Sequence, residues 1–104
     1  MIYVIATIEV AAGRRADFLA ILRANVPNVL AEDGCIEYLP TVDRDTDIAA
    51  QSDARPDTVT VVEKWESFAA LEAHLVAPHM LEYRERVQDL VANVSLQILE
   101  PAEA

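Results

Sequence analysis

Glycine is scarce in this chain, with two residues in 104. That scarcity excludes the glycine-rich turns that cradle a dinucleotide or nucleotide phosphate, which need several positions without a side chain. Cysteine is scarcer still. Cys35 stands alone, so no intrachain disulfide can form, which agrees with a reducing compartment. Two histidines with one remote cysteine do not make a recognisable set of metal ligands. No nucleophile elbow or paired-histidine metalloprotease motif occurs. Basic residues number eight against eighteen acidic ones, a formal charge of −10. A chain so acidic repels phosphate backbones and anionic lipid heads, which disfavours nucleic acid and membrane surfaces as partners. A small anionic ligand is not excluded, because the local field decides that. No apolar run approaches the ~20 residues of a membrane span. The opening Met1-Ile2-Tyr3-Val4 has no basic leader and starts directly in a strand pattern, so a cytoplasmic protein is expected.

Hydrophobic residues, by contrast, reach 53%. A chain of this length is expected to form one domain over 1–104 and to bury only a modest share of its surface. The apolar surplus is best placed in an interface, so a homodimer is expected.

Residues 2–10 alternate as a strand, with Ile2, Val4, Ala6, Ile8 and Val10 on one face. Tyr3, Ile5, Thr7 and Glu9 occupy the other. After Ala12-Gly13, helical spacing of Phe18, Ile21, Leu22, Val26, Val29 and Leu30 predicts a helix over 14–31. Pro27 should kink or restart it, and Gly34 suits the left-handed position that ends it. A second strand is predicted over 35–42, with Ile36, Tyr38 and Val42 sharing a face. A long acidic connection, 43–57, should extend the strands or form a mobile arm. The β-branched run 58–66 predicts a third strand, with Val59, Val61, Glu63 and Trp65 on one face. Ser67 can cap a short helix to about Val76, and Pro78 can open another running to about Ala92. The last strand is predicted over 94–100. The order β-α-β-β-α-β is ferredoxin-like: an α+β fold with a four-stranded antiparallel sheet and helices on one face. Its other face, expected to be richly apolar, could pair with a second copy as a dimeric α+β barrel.

Several segments then resemble one family. Val10-Ala11-Ala12-Gly13-Arg14, Ala31-Glu32-Asp33-Gly34-Cys35-Ile36-Glu37-Tyr38, Glu63-Lys64-Trp65-Glu66 and His74-Leu75-Val76-Ala77-Pro78-His79 occur in the order found in the antibiotic biosynthesis monooxygenases. The nearest resemblance is to their quinol-monooxygenase-like branch. It implies the dimeric barrel fold and an oxidation of a quinol or polyphenol by O2 without a metal or prosthetic group. Arg84 stands where the heme-degrading branch carries a histidine ligand, so heme is not implied.

The chain gathers both histidines beside its single tryptophan. His74 or His79 could be a general base, since imidazole titrates near neutrality. Equally, either could be a structural histidine tying the helix break together. Trp65 and Tyr38 could clamp a flat aromatic ring or simply fill the core. Glu63 shares a strand face with Trp65 and should be paired with a base or exposed to a cavity. Arg84 could partner Glu63 or a substrate oxygen, or lie solvated. Tyr83 and Thr7 are lesser binding candidates, and Met80 and Leu71 could supply apolar walls. Cys35 should be inert, lacking a basic neighbour. The reading is an oxygenase for a small aromatic substrate. A dicarbonyl isomerase or tautomerase is the alternative, or a binding protein without catalysis.

Overall fold

Alternation of large apolar and smaller polar residues makes the first strand, β1 (Ile2–Val10), the centre of the molecule. It pairs antiparallel with β3 (Thr58–Trp65) on one side and β4 (Val91–Leu99) on the other. The second strand, β2 (Cys35–Thr41), pairs antiparallel with β3, which gives the order β2-β3-β1-β4. Three helices complete the ferredoxin-like α+β fold: α1 (Arg15–Leu30), α2 (Phe68–Leu75) and α3 (Pro78–Val87). The computed structural model describes residues 1–103.

Register decides which side chains meet. Val4 lies opposite Glu63, Ala6 opposite Val61 and Ile8 opposite Val59. Residues directly opposite share a face, so these six, all buried, form one floor beneath the helices. Phe18, Leu22 and Val29 of α1 and Leu71 of α2 close over it.

Helix α1 runs through Pro27 with no restart. Proline removes one backbone donor, and here it does so near the helix end, where the Pro27 carbonyl still accepts the Ala31 N–H at 3.2 Å. Gly34 has the expected positive φ of 81°. It does not cap α1, however, because Ala31 does. Gly34 lies in the turn to β2, where an added Cβ would sit 2.7 Å from the Ala70 side chain on α2. A register shift between Cys35 and Glu37 takes Ile36 out of the alternation. Ile36 is therefore exposed, Val42 is exposed because β2 ends one residue before it at Thr41, and Tyr38 turns to the helices without them.

Ser67 caps α2, its hydroxyl accepting the Ala70 N–H at 3.1 Å, and Pro78 opens α3 at a position that needs no donor. Helix α3 stops at Val87, short of the expected Ala92, and β4 starts at Val91 instead of Val94. Val87, Leu90 and Val91 fit helical spacing, but the end of β1 offers unpaired backbone groups. Ala11 N–H bonds to the Leu90 carbonyl at 2.8 Å, and Val91 pairs with Val10.

The 43–57 connection forms no strand of its own, although its last carbonyl, at Asp57, accepts the Val10 N–H at 2.9 Å. It closes on itself through Arg55, whose guanidinium bonds Asp43 at 2.8 and 2.9 Å. Asp57 ties it to the α1 start by accepting the Gly13 N–H at 3.0 Å.

The uncovered sheet face is less apolar than expected. Tyr3, Ile5, Leu39, Val62 and Leu99 alternate there with Thr7, Thr41, Thr60, Lys64, Ser95 and Gln97. Apolar surface is also open at the edge strand, where Val94, Leu96 and Ile98 turn toward the helix side and stay exposed. Among the described residues, no helix is long and apolar enough to cross a membrane.

Candidate functional site

Between the sheet and the α2–α3 pair lies a cavity of about 480 Å³. Its floor is apolar, with Ala6, Ile8 and Val61 from the two central strands and Leu96 from the edge. Polar groups converge on it from four elements: Tyr38 from β2, Glu63 from β3, His74 from α2, and Tyr83 and Arg84 from α3. An apolar hollow with a few converging polar groups is the usual form of a small-molecule site.

His74 sits in the last turn of α2, only 2% exposed. Its Nδ1 lies 2.8 Å from Glu32 Oε2. The carboxylate can only accept, so Nδ1 carries the proton and Nε2 is left as the basic nitrogen. The ring is 4.7 Å from Trp65 and 5.6 Å from Tyr38, centroid to centroid. Burial pulls the His74 pKa below its ordinary value against the opposing pull of Glu32. The imidazole is thus neutral at pH 7 and able to take a proton.

Glu63 is the second titratable group of the cavity. Its Oε1 accepts the Trp65 Nε1–H at 3.0 Å. Burial pushes its carboxyl up to about 7, with the Trp65 bond opposing and Glu32 adding repulsion. The hydroxyls of Tyr38 and Tyr83 are also raised, Tyr83 to about 12, chiefly by burial. Both phenols therefore stay neutral donors. Cys35 is pushed up to about 11 by burial and two nearby carboxylates, which makes its thiol unreactive.

The sequence candidates separate in space. His74, Tyr38, Glu63, Tyr83 and Arg84 meet at the cavity, with Met80 as an apolar wall. Leu71 is plain core. Trp65 is fully buried behind the cavity wall and does not clamp anything in it. Its ring packs at a 39° tilt against His74 and its N–H bonds Glu63, so it spaces the two proton-handling groups. Thr7 is a correction: it pairs with Thr60 and Ser95 on the opposite face of the sheet. His79 is a second correction. Its ring lines a separate cleft between α1 and α3, and its Nε2 lies 3.1 Å from Glu32 Oε2. Arg84 is exposed at the cavity rim, and among the described residues no carboxylate forms an ion pair with it, Glu63 included.

Glu32 is the residue the sequence reading missed. It stood inside a quoted segment as part of a helix exit, and nothing local marks it as a histidine partner. Two histidines five positions apart across a proline break were the available hint, since buried imidazoles need an acceptor. Among the described residues, no group of three or more His, Cys, Asp or Glu side chains could hold a metal ion.

Comparison with known proteins places the chain in a family. The family model described as antibiotic biosynthesis monooxygenase matches residues 1–86. "Probable quinol monooxygenase YgiN" of Escherichia coli K12 is 47% identical over 76 residues, spanning 73% of this chain and 72% of that protein. The crystal structure of PA3566 from Pseudomonas aeruginosa superposes with a TM-score of 0.79 at 29% identity, covering 98% of this chain and 94% of that one. Rv0793 from Mycobacterium tuberculosis superposes with a TM-score of 0.75 at 27% identity, covering 99% and 96%. Both solved structures extend the likeness through β4, beyond the family match.

Proposed function

The chain belongs to the antibiotic biosynthesis monooxygenase family, and we propose that within it the protein oxidises a small quinol or polyphenol with O2. The observation that carries this reading is the carboxylate-held imidazole of His74 on the wall of an apolar cavity, with a second proton-accepting carboxyl beside it. A phenol is a poor electron donor, and a phenolate is a good one. His74 Nε2 takes the proton of one substrate hydroxyl, and Glu32 steadies the imidazolium that results. The electron-rich ring then reduces O2 and gains one oxygen atom, while the second oxygen leaves as water. For a hydroquinone the balance is one quinol plus O2 giving one hydroxyquinone plus water. Glu63, poised near neutrality, exchanges the second proton. Tyr38 and Tyr83 flank the ring, and Arg84 at the rim offsets the anionic charge. The apolar floor excludes water and so favours reaction over proton leakage. The YgiN similarity supports the substrate class, and the residues named need no prosthetic group for the proton steps.

The protein also acts as a homodimer in this proposal, a second copy covering the uncovered sheet face, in a reducing cytoplasm. Oxygen uptake by metal-stripped protein with a panel of hydroquinones tests the reaction. Uptake above the autoxidation blank is expected, and His74→Ala should lower kcat by about 10²–10⁴-fold. Uptake indistinguishable from the blank across the panel overturns the reading. The paired proton acceptors His74 and Glu63 favour one second reading, tautomerisation of a small dicarbonyl, and turnover without oxygen would select it.

A further inference from the structure

Two imidazoles end on one carboxylate oxygen, and the reaction proposed above uses only one of them. His74 Nδ1 is 2.8 Å and His79 Nε2 3.1 Å from Glu32 Oε2. The three come from separate places: Glu32 from the turn between α1 and β2, His74 from the end of α2, His79 from the start of α3. Pro78 makes this possible, because the break it opens turns the second ring back toward the first. His79 does not reach the 480 Å³ cavity. Its Nδ1 is buried and has no partner among the described residues, where Glu32 is the polar tie that holds the ring.

Resting on the reading of His74 as base, we propose that His79 is a positioning residue that tunes it: by occupying the same Glu32 oxygen, His79 limits how strongly that oxygen can hold the His74 imidazolium. A carboxylate oxygen has two lone pairs, so both N–H groups can bond it at once. When His74 gains a proton at Nε2, its charge leans on that oxygen. A donor already there withdraws electron density from it, and two charged rings on one oxygen would repel each other. The groups around His74 are few. Glu32 favours its charged form, while His79 and Arg84 from α3 oppose it. Trp65 from β3 and Tyr38 from β2 pack on the ring, and Glu63 lines the same cavity. Two changes at one oxygen should therefore act with opposite signs. Removing His79 makes His74 a stronger base, and removing the Glu32 charge makes it a weaker one.

The test is a pH titration of the ring nitrogens of the free protein by NMR, comparing the native chain with His79→Phe, His79→Gln and Glu32→Gln. The His74 midpoint is expected at higher pH in His79→Phe and at lower pH in Glu32→Gln. His79→Gln keeps an N–H donor without an ionisable ring, so its upward move should be the smaller, and it serves if the Phe variant does not fold. A His74 midpoint unchanged or lowered in both folded His79 variants, or in the Gln variant alone if Phe fails, overturns the proposal. In a second arm, the acid limb of kcat/KM for hydroquinone oxidation should follow the NMR midpoints. No substrate is needed for the first arm. Moved midpoints with no oxidation by the native protein therefore sink the functional reading and leave the shared oxygen standing. Unmoved midpoints with normal oxidation do the reverse.

Discussion

At the scale of single residues, Glu63 shows how a site group is bought with stability. Its carboxyl stands among Val4, Val61 and Trp65, and one neutral N–H does not repay the water it gave up. Its pKa rises from 4.5 to about 7, so the folded state holds the proton more tightly than the unfolded chain does. Between those values the folded form binds more protons, and stability must fall as pH rises through the interval. Above the folded pKa the loss is complete, at most about 3 kcal/mol at 1.36 kcal/mol per unit. Glu63→Gln cannot ionise and should lack this decline. Urea midpoints of the native and variant proteins at pH 4.5 and pH 8 measure it: native minus variant stability should become more negative at the higher pH. An equal difference at both pH values would show that Glu63 is solvated and no proton carrier. The sequence announced Glu63 through its face-sharing with Trp65. It could not announce Glu32, because a partner forty-two positions from His74 is fixed only by tertiary packing.

Elements were legible where one period dominated and ambiguous where two fitted. Strand β1 alternates so cleanly that its bounds follow from pattern alone, and Ser67 and Pro78 mark their helix starts through chemistry that does not depend on packing. The α3–β4 boundary was misplaced because Val87, Leu90 and Val91 satisfy a helix as well as a strand, and only the ladder of β1 decides. Pattern marks Gly34 as left-handed but cannot mark it as a contact point. Both requirements fall on it together: a φ of 81° and an Ala70 side chain 2.7 Å from any added Cβ. Gly34→Ala should therefore destabilise by roughly 1–3 kcal/mol, from backbone strain plus displacement of α2. Because α2 carries His74, hydroquinone turnover should drop with it. Gly13 supplies the control. It also has positive φ, yet nothing lies within 4 Å of its added Cβ, so Gly13→Ala should show strain alone and the smaller loss in thermal unfolding.

Over the whole molecule, the sheet has helices on one face and none on the other, and an acidic chain keeps apolar side chains in the open. The uncovered face is a mixture: Ile5 and Val62 lie side by side at its centre, with Tyr3 and Leu99 nearby and threonines between. A face apolar at its centre and polar around it suits the proposed interface between identical sheets. The exposed edge residues Val94 and Leu96 also line the cavity, so chain added along β4 would narrow its mouth. In the proposed dimer, a partner that also laid chain along β4 would link pairing to substrate enclosure. Sedimentation at micromolar concentration should return the mass of two chains. Ile5→Lys places a charge at the middle of the face, opposite Val62, where only a partner sheet would object to it. That variant should sediment as one chain with unchanged far-ultraviolet circular dichroism, and should lose hydroquinone turnover though His74, Glu32 and Glu63 are untouched. A native protein that sediments as a single chain, or an Ile5→Lys variant that stays paired, would assign the uncovered face some other use.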